Sequence, residues 1–241
     1  MKFVALLFAL GFLSLACSGA QPGAADLLEK ARAMWRGETF QATVTLDVTR
    51  AGETTQYRFQ VWAQGEDLAL VRVLAPDAEA GSGYLLAGEE LWYYTPAAGR
   101  AISLPPFALF AGFLGSGLDL DEVLRGATTE HYTVEFSPDQ PEAGHRITLT
   151  PLPEAATVYG RIEVTLREDL ALAAMIYYDQ RDQVIKTAHA LEFLELPGRV
   201  LPRVIVVEES SGDRTVQTFE ELLVDVPIEP SVFTREYLER Q

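Results

Sequence analysis

The sequence predicts a mainly β fold with a few helices, built around one antiparallel sheet of about eleven strands. Three observations support this prediction. From Phe40 onward apolar and polar residues alternate, which is the period of a strand with one buried face. Turn signals rich in glycine separate the alternating segments at spacings of roughly 8 to 14 residues, as in a meander. Only two stretches have helical periodicity, so helices contribute a small part of the core.

Composition and charge exclude several classes of protein. The chain has 241 residues, of which 48% are hydrophobic and 22% charged, a composition typical of a globular protein. Acidic residues number 35 against 19 basic ones, and the net charge is −16. With no basic cluster, binding to nucleic acid or to anionic headgroups through charge is not expected. The single cysteine, Cys17, excludes a disulfide framework and a cysteine-based metal site.

The N-terminus has the features of an export signal. One positive charge, Lys2, precedes an apolar stretch over residues 3–16, which is shorter than the roughly 20 residues that a spanning helix needs. The stretch ends at Ser14-Leu15-Ala16-Cys17, which resembles a lipobox, although the usual leucine lies at Leu13 instead of position 14. We therefore predict a signal peptide over residues 1–17 and acylation of Cys17, giving a membrane-anchored lipoprotein of the cell envelope. Cleavage after Ala20, which would release a soluble periplasmic protein, is the alternative.

The remainder is predicted to be a short linker over residues 18–25 and a single domain over 26–241. Asp26 is the expected N-cap of a leading helix that Gly37 ends. Five strands follow up to Tyr94, and strand periodicity resumes at His131 and continues to Leu223. A short, partly helical tail over 232–241 closes the chain.

An apolar insertion interrupts the strands after the fifth. Residues 107–125 contain two helix-like segments, and Asp119 is expected to cap the second, at 120–124. Large apolar side chains at helical spacing predict one apolar face, which would act as a lid over a hydrophobic pocket or form a permanent part of the core. These lid candidates are Phe107, Phe110, Phe113 and Leu114.

No catalytic constellation is present in the sequence. The three histidines, His131, His145 and His189, are isolated from one another, and no serine lies in a nucleophile-elbow motif. Asp119, Asp121 and Glu122 supply too few alternating oxygens for a calcium loop. We therefore expect no catalytic residues, no metal site, no cofactor and no enzymatic activity.

Three segments in a fixed order resemble a known family. They are LWYYTPAAGR at 91–100, GSGLDLDEVL at 115–124 and FTREYLERQ at 233–241, following a signal peptide, a helix and a meander. This arrangement is similar to that of the LolA-like superfamily, the outer-membrane lipoprotein-sorting proteins. The sequence departs from the family pattern at Gly117-Leu118-Asp119, where an aspartate usually follows Gly-Ser directly. The resemblance implies an antiparallel half-barrel, closed by helices, whose apolar concave face holds acyl chains.

The residues and the resemblance together predict a non-enzymatic carrier or receptor in the periplasm that binds the acyl chains of lipoproteins or lipids. Its other expected partners are the membrane, through the acyl anchor, and other envelope proteins. The alternative is an anchored structural or sensor domain that binds another envelope protein and has no lipid cavity. Period-two parity, which a single bulge would invert, selects the candidate cavity lining. The candidates are Phe40, Val44, Leu46, Phe59, Val61, Ile147, Leu149 and Ile176.

Overall fold

The computed structural model describes residues 22–126, 129–155 and 157–240, and across these residues the chain forms one antiparallel sheet of thirteen strands. The predicted signal peptide, Cys17 and Ala20 lie outside the described residues. The strands are β1 (Thr39–Arg50), β2 (Glu53–Gln64), β3 (Leu68–Ala75), β4 (Gly83–Ala87), β5 (Glu90–Tyr94), β6 (Ile102–Leu104), β7 (Tyr132–Phe136), β8 (His145–Pro151), β9 (Arg161–Leu166), β10 (Leu172–Tyr178), β11 (Val184–Leu196), β12 (Arg199–Glu209) and β13 (Arg214–Val224).

This architecture confirms the predicted fold class, a mainly β protein with a single antiparallel sheet. The sheet has thirteen strands in the described residues, whereas the sequence predicted about eleven. One strand that the prediction missed is β6, which has only three residues and lies at an edge of the sheet. A strand this short has too few residues to show the alternation on which the prediction depended.

The strand order explains why one face of the sheet is covered. β1 and β13 are neighbours at the centre, β1 to β6 run outward to one edge, and β7 to β13 run from the other edge back to the centre. The chain between β6 and β7 therefore connects opposite edges and crosses one face, which we call the inner face. Two 3-10 helices, Pro106–Phe110 and Phe113–Gly115, and the short helix α2 (Leu120–Leu124) make this crossing, and α2 contacts β2 and β3.

The leading helix, α1 (Ala24–Arg36), packs against β7 and β12. Its N-cap is Gly23, so the prediction that Asp26 caps the helix is wrong by three positions. Asp26 lies in the first turn, where its Oδ2 accepts the backbone N–H of Gly23 at 3.1 Å. The helix ends at Gly37, whose φ of 58° is in the left-handed region that glycine adopts without a steric penalty.

Alternate residues of the strands supply two hydrophobic clusters on opposite faces of the sheet. On β2, Val61 belongs to the inner cluster and Trp62 to the outer one, and Val71 and Leu70 divide in the same way on β3. A 3-10 helix, Pro230–Phe233, and the helix α3 (Arg235–Leu238) cover the outer cluster. In the described part of the chain, no helix combines the length and the apolar character needed to cross a membrane.

Candidate functional site

A cavity of about 230 Å³ lies between the inner face of the sheet, α1 and the insertion. Most of its wall is apolar, because the inward residues of β1, β2 and β8 to β13 and the facing residues of α1 are mainly aliphatic or aromatic. The exceptions on these elements are Arg32, Arg36, Lys186 and Gln217. From the insertion, Phe110, Leu118 and Val123 contribute to the wall. The strand residues in the wall include Phe40, Val44, Phe59, Val61, Leu149, Ile162, Val164, Met175, Ala188, Ile205 and Phe219.

Of the eight residues that the sequence predicted as lining, five are in this wall: Phe40, Val44, Phe59, Val61 and Leu149. Two others, Leu46 and Ile147, are fully buried in the same core without reaching the cavity.

The eighth predicted lining residue, Ile176, lies on the wrong face for that role. The cavity wall contains its neighbours Met175 and Tyr177 instead. The register between β9 and β10 shifts between Leu172 and Ala174, and this bulge inverts the parity of the rest of the strand. Leu172 therefore faces inward, as period-two parity predicts, and Ile176 faces outward.

The four lid candidates do not share one apolar face, and this part of the prediction is wrong. Phe113 is buried, with its ring centroid 5.1 Å from that of Phe59 and 6.0 Å from that of Tyr84. Phe110 lines the cavity and is 39% exposed, whereas Phe107 is 73% exposed. The four candidates lie on two separate 3-10 helices, so α-helical spacing does not apply to them. Leu114 is half-buried and has a φ of 51°, which is outside the helical range.

A polar cluster that sequence analysis missed forms one wall of the cavity, and we call it the Lys186 cluster. Lys186 Nζ lies 3.2 Å from both carboxylate oxygens of Glu122 and 3.9 Å from Asp119 Oδ2. The Tyr177 hydroxyl donates to Glu122 Oε1 at 2.5 Å, and the Tyr159 hydroxyl donates to Asp119 Oδ2 at 2.9 Å. The backbone N–H of Asp119 donates to Glu122 Oε2 at 2.9 Å, which fixes the Glu122 carboxylate to the first turn of α2.

The Lys186 cluster divides the apolar cavity from a polar depression of about 540 Å³ at the surface, because Asp119, Tyr159 and Lys186 line both. The sequence contains one signal for it. Lys186 on β11 has the same parity as the apolar residues Val184 and Ala188, and a lysine at an inward position requires a buried partner. Asp119, as predicted, is the N-cap of α2, which confirms the short helix at 120–124.

Burial perturbs the acid–base properties of this cluster. Burial and the nearby negative charge of Glu122 raise the pKa of Asp119 to about 6, and Lys186 and the Tyr159 hydroxyl oppose this rise only in part. The pKa values of the Tyr159 and Tyr177 hydroxyls are both raised, mainly by burial and then by the charge of Glu122. Both tyrosines are therefore neutral hydrogen-bond donors at physiological pH.

A second charged group, Arg36 at the end of α1, connects this helix to the insertion. Its guanidinium donates to the carbonyl oxygen of Val123 at 3.5 Å and to that of Leu124, and it lies 4.7 Å from the centroid of the Phe40 ring. Burial lowers the pKa of Arg36 to about 10. Nearby, Asp121 and Arg125 form a 2.6 Å ion pair. Among the residues that the structure describes, no group of three or more His, Cys, Asp or Glu side chains could hold a metal ion.

A family model described as "Uncharacterized protein" matches residues 65–240. The chain belongs to that family. The matched span begins just after β2 and includes the insertion, the Lys186 cluster and the C-terminal helix. No curated protein sequence matches the chain significantly.

Solved structures establish the fold of this family member. A LolA superfamily protein from Nitrosomonas europaea is 20% identical with a TM-score of 0.76, and the match covers 90% of this chain and 100% of that one. A DUF1329 family protein from Desulfovibrio piger is 20% identical with a TM-score of 0.79, covering 89% and 97%. A Vibrio parahaemolyticus domain, provisionally described as an outer membrane lipoprotein-sorting protein, is 17% identical with a TM-score of 0.78, covering 90% and 98%. The chain therefore has the LolA-like half-barrel fold.

Proposed function

We propose that this protein is an exported, non-enzymatic carrier or receptor that binds the acyl chains of lipoproteins or lipids in the cavity under its insertion. The observation that supports this proposal is the apolar cavity itself, which lies between the sheet, α1 and the insertion. The sorting role for which the Vibrio parahaemolyticus domain is described is consistent with it. A packed inner face with no free volume would have favoured the structural or sensor alternative.

Burial of apolar surface is sufficient to hold such a ligand. Each square ångström of apolar surface removed from water contributes about 25 cal/mol, so one enclosed acyl chain gains several kcal/mol. The wall requires few directional groups, because an acyl chain has no polar atoms along its length. This explains why the sequence contains no short motif for the site.

A matched pair of substitutions on neighbouring strands tests the proposal. Ala188 on β11 is buried in the cavity wall, whereas Ala174 on β10 faces outward, opposite His189. We expect Ala188→Phe to weaken binding of a dansyl-labelled undecanoyl chain by about tenfold or more, because the added ring occupies the space of the ligand. Ala174→Phe makes the same chemical change outside the cavity and is expected to leave the dissociation constant unchanged.

Three results are informative in this experiment. Co-purification of acylated species with the wild-type protein, seen by native mass spectrometry and lost in Ala188→Phe, would support the carrier. If the wild-type protein carries no lipid and does not bind the dansyl probe, the carrier proposal is contradicted and the protein-binding alternative is favoured. Equal affinity in wild type and a folded Ala188→Phe variant would show that the ligand binds elsewhere.

We also propose that Cys17 is acylated and anchors the protein to an envelope membrane. The supporting observations are the apolar stretch that precedes it and the presence of the only cysteine at the end of that stretch. Several acyl chains at about 0.8 kcal/mol per buried CH₂ would make the attachment long-lived, so a tethered protein would act at one membrane. Metabolic labelling with a palmitate analogue should label the wild type and leave Cys17→Ser unlabelled. An unlabelled wild type recovered with Gln21 at its N-terminus would instead indicate cleavage after Ala20.

A further inference from the structure

A group of exposed apolar side chains lies at one edge of the sheet and in the segment that follows it. It consists of Ile102 on the edge strand β6 and of Phe107 and Phe110 on the following 3-10 helix, which are 40%, 73% and 39% exposed. We call these three residues the edge patch. Leu109, which is buried, fixes the 3-10 helix to the core, and Pro105 and Pro106 restrict the backbone that leads into it. The backbone of this segment is therefore restrained, and Phe107 and Phe110 remain exposed to solvent.

The sequence segment that carries the edge patch differs in charge from the rest of the chain. Residues 91–118 contain no aspartate or glutamate, and Arg100 is the only charged residue among these 28. The whole chain has 35 acidic residues in 241, so an average span of 28 residues would contain about four. The exposed residues of this segment are mainly proline, alanine, glycine, isoleucine and phenylalanine.

The edge patch shares one residue with the cavity wall. Phe110 belongs to both, since it lines the cavity wall and is also exposed at the surface. Phe107 lies one turn before Phe110 on the same 3-10 helix, in a segment without carboxylates, so an acyl chain that leaves the cavity past Phe110 would meet a second exposed apolar ring. If no lipid surface met the edge patch, an acyl chain that leaves the cavity would be exposed to water, at a cost of about 0.8 kcal/mol for each CH₂ group.

We propose that the edge patch inserts into a lipid surface and that ligand passes between the cavity and the membrane beside Phe110. Entry of the edge patch into the membrane is inferred from its exposure and from the charge pattern of its segment alone. Passage of ligand beside Phe110 rests in addition on the proposed function. A lipid surface fits better than a protein partner. A stable protein interface buries about 800 Å² on each side and includes polar contacts, whereas two or three projecting apolar side chains suit the acyl boundary of a bilayer. Because residues 91–118 contain no carboxylate, this segment adds nothing to the repulsion between the acidic protein and an anionic membrane.

The lone cysteine makes a site-specific test possible. In the full chain carrying Cys17→Ser, Phe107→Cys and Val158→Cys each create one attachment site for the environment-sensitive fluorophore NBD. Val158 is the matched control, because it is a 71% exposed apolar residue on a different loop, before β9. With vesicles of phosphatidylethanolamine and phosphatidylglycerol, we expect the emission of the label at position 107 to rise about threefold or more and to shift to the blue, because insertion removes it from water. The label at position 158 is expected to keep its emission.

Two results would overturn the proposal: unchanged emission at position 107, or equal changes at positions 107 and 158. The first means that the edge patch does not enter the bilayer, as expected if it docks on a protein instead, and the second indicates non-specific adsorption. The dansyl-chain assay in solution separates this inference from the proposed function. If the protein binds the dansyl probe but the emission at position 107 does not change, only the membrane-contact proposal is contradicted. If the emission at position 107 changes but the protein does not bind the dansyl probe, only the carrier proposal is contradicted.

Discussion

At the residue scale, the feature to explain is a set of charges inside an apolar fold. Lys186 is 5% exposed and has Glu122 as its nearest carboxylate, while Asp119 hydrogen-bonds to Tyr159 and lies at the edge of ion-pair distance from Lys186. Removing such charges from water is costly, and the hydrogen bonds of the two tyrosines offset part of that cost. The raised pKa of Asp119 shows that this offset is incomplete for its carboxylate.

Asp119→Asn is therefore expected to stabilise the protein at neutral and alkaline pH. A pKa of about 6, against 3.8 for the unperturbed group, corresponds to at most about 3 kcal/mol at 1.36 kcal/mol per unit. Above pH 6 the carboxylate is ionised in both the folded and the unfolded chain, so the wild type bears the full cost of the buried charge. Asparagine removes that charge and keeps both an oxygen for the Tyr159 hydroxyl and the N-cap of α2.

The sign of the pH dependence follows from proton binding. Between about pH 4 and pH 6 the folded chain holds the proton on Asp119 more tightly than the unfolded chain does, so this group makes the protein less stable as the pH rises. Urea unfolding at pH 8 should give a higher free energy for Asp119→Asn than for the wild type, and the difference should vanish near pH 4. Asp26→Asn, on the exposed surface of α1, is the control. A lower stability of Asp119→Asn at pH 8 would contradict the argument.

At the element scale, the Arg36 side chain connects α1 to α2 through hydrogen bonds. Its guanidinium satisfies two carbonyl oxygens, of Val123 and Leu124, at the C-terminal end of a helix of only five residues. We expect Arg36→Met to keep the packing of the aliphatic stem on Phe40 and to leave these oxygens without their donor. A hydrogen bond to a charged donor is worth about 1.5–3 kcal/mol, so amide exchange in α2 should accelerate about tenfold or more while the sheet stays protected.

Hydrogen exchange followed by mass spectrometry measures this effect on peptides that cover the insertion. The matched control is Arg32→Met, one turn earlier on α1, because Arg32 forms its ion pairs with Glu29 and Glu66 and not with α2. Unchanged exchange in the insertion of Arg36→Met would show that packing alone holds α2. Equal acceleration in the sheet would show a global loss of stability.

The elements also show what the sequence could predict. Strand β1 was predictable, because its register with β2 is unbroken and its inward residues follow simple parity. Strand β10 was not, because the bulge after Leu172 depends on the pairing with β9, which local periodicity does not contain. For the insertion, the sequence identified apolar content and the start of α2, but not which phenylalanines are buried. That division depends on the 3-10 geometry and on contacts with β2 and β4.

At the scale of the whole molecule, the cavity follows from the connectivity of the sheet. The two outer ends of the sheet are joined only through the insertion, so the insertion must cover the inner face wherever it crosses. Turn signals and period-two patterning predict the strands but not their order, and the Lys186 cluster joins residues from α2, β10, β11 and the loop before β9. The sequence therefore predicted the fold class and five of the strand residues in the apolar wall, whereas the rest of that wall and the polar wall required the assembled chain.

Ligand binding should consequently stabilise the whole molecule and not one part of it. The cavity wall draws on β1 and β2 from the first half of the sheet, on strands of the second half, and on α1 and the insertion. A ligand that binds only the folded state raises its stability by about 2.7 kcal/mol at a concentration of 100 times its dissociation constant. For a chain of this size that corresponds to a rise of about 5–10 °C in Tm. Differential scanning calorimetry with an acyl ligand should show one transition that moves upward in the wild type and in Ala174→Phe, and stays in place in Ala188→Phe. A transition that splits on ligand addition would mean that the two halves of the sheet unfold independently and that the ligand contacts only one of them.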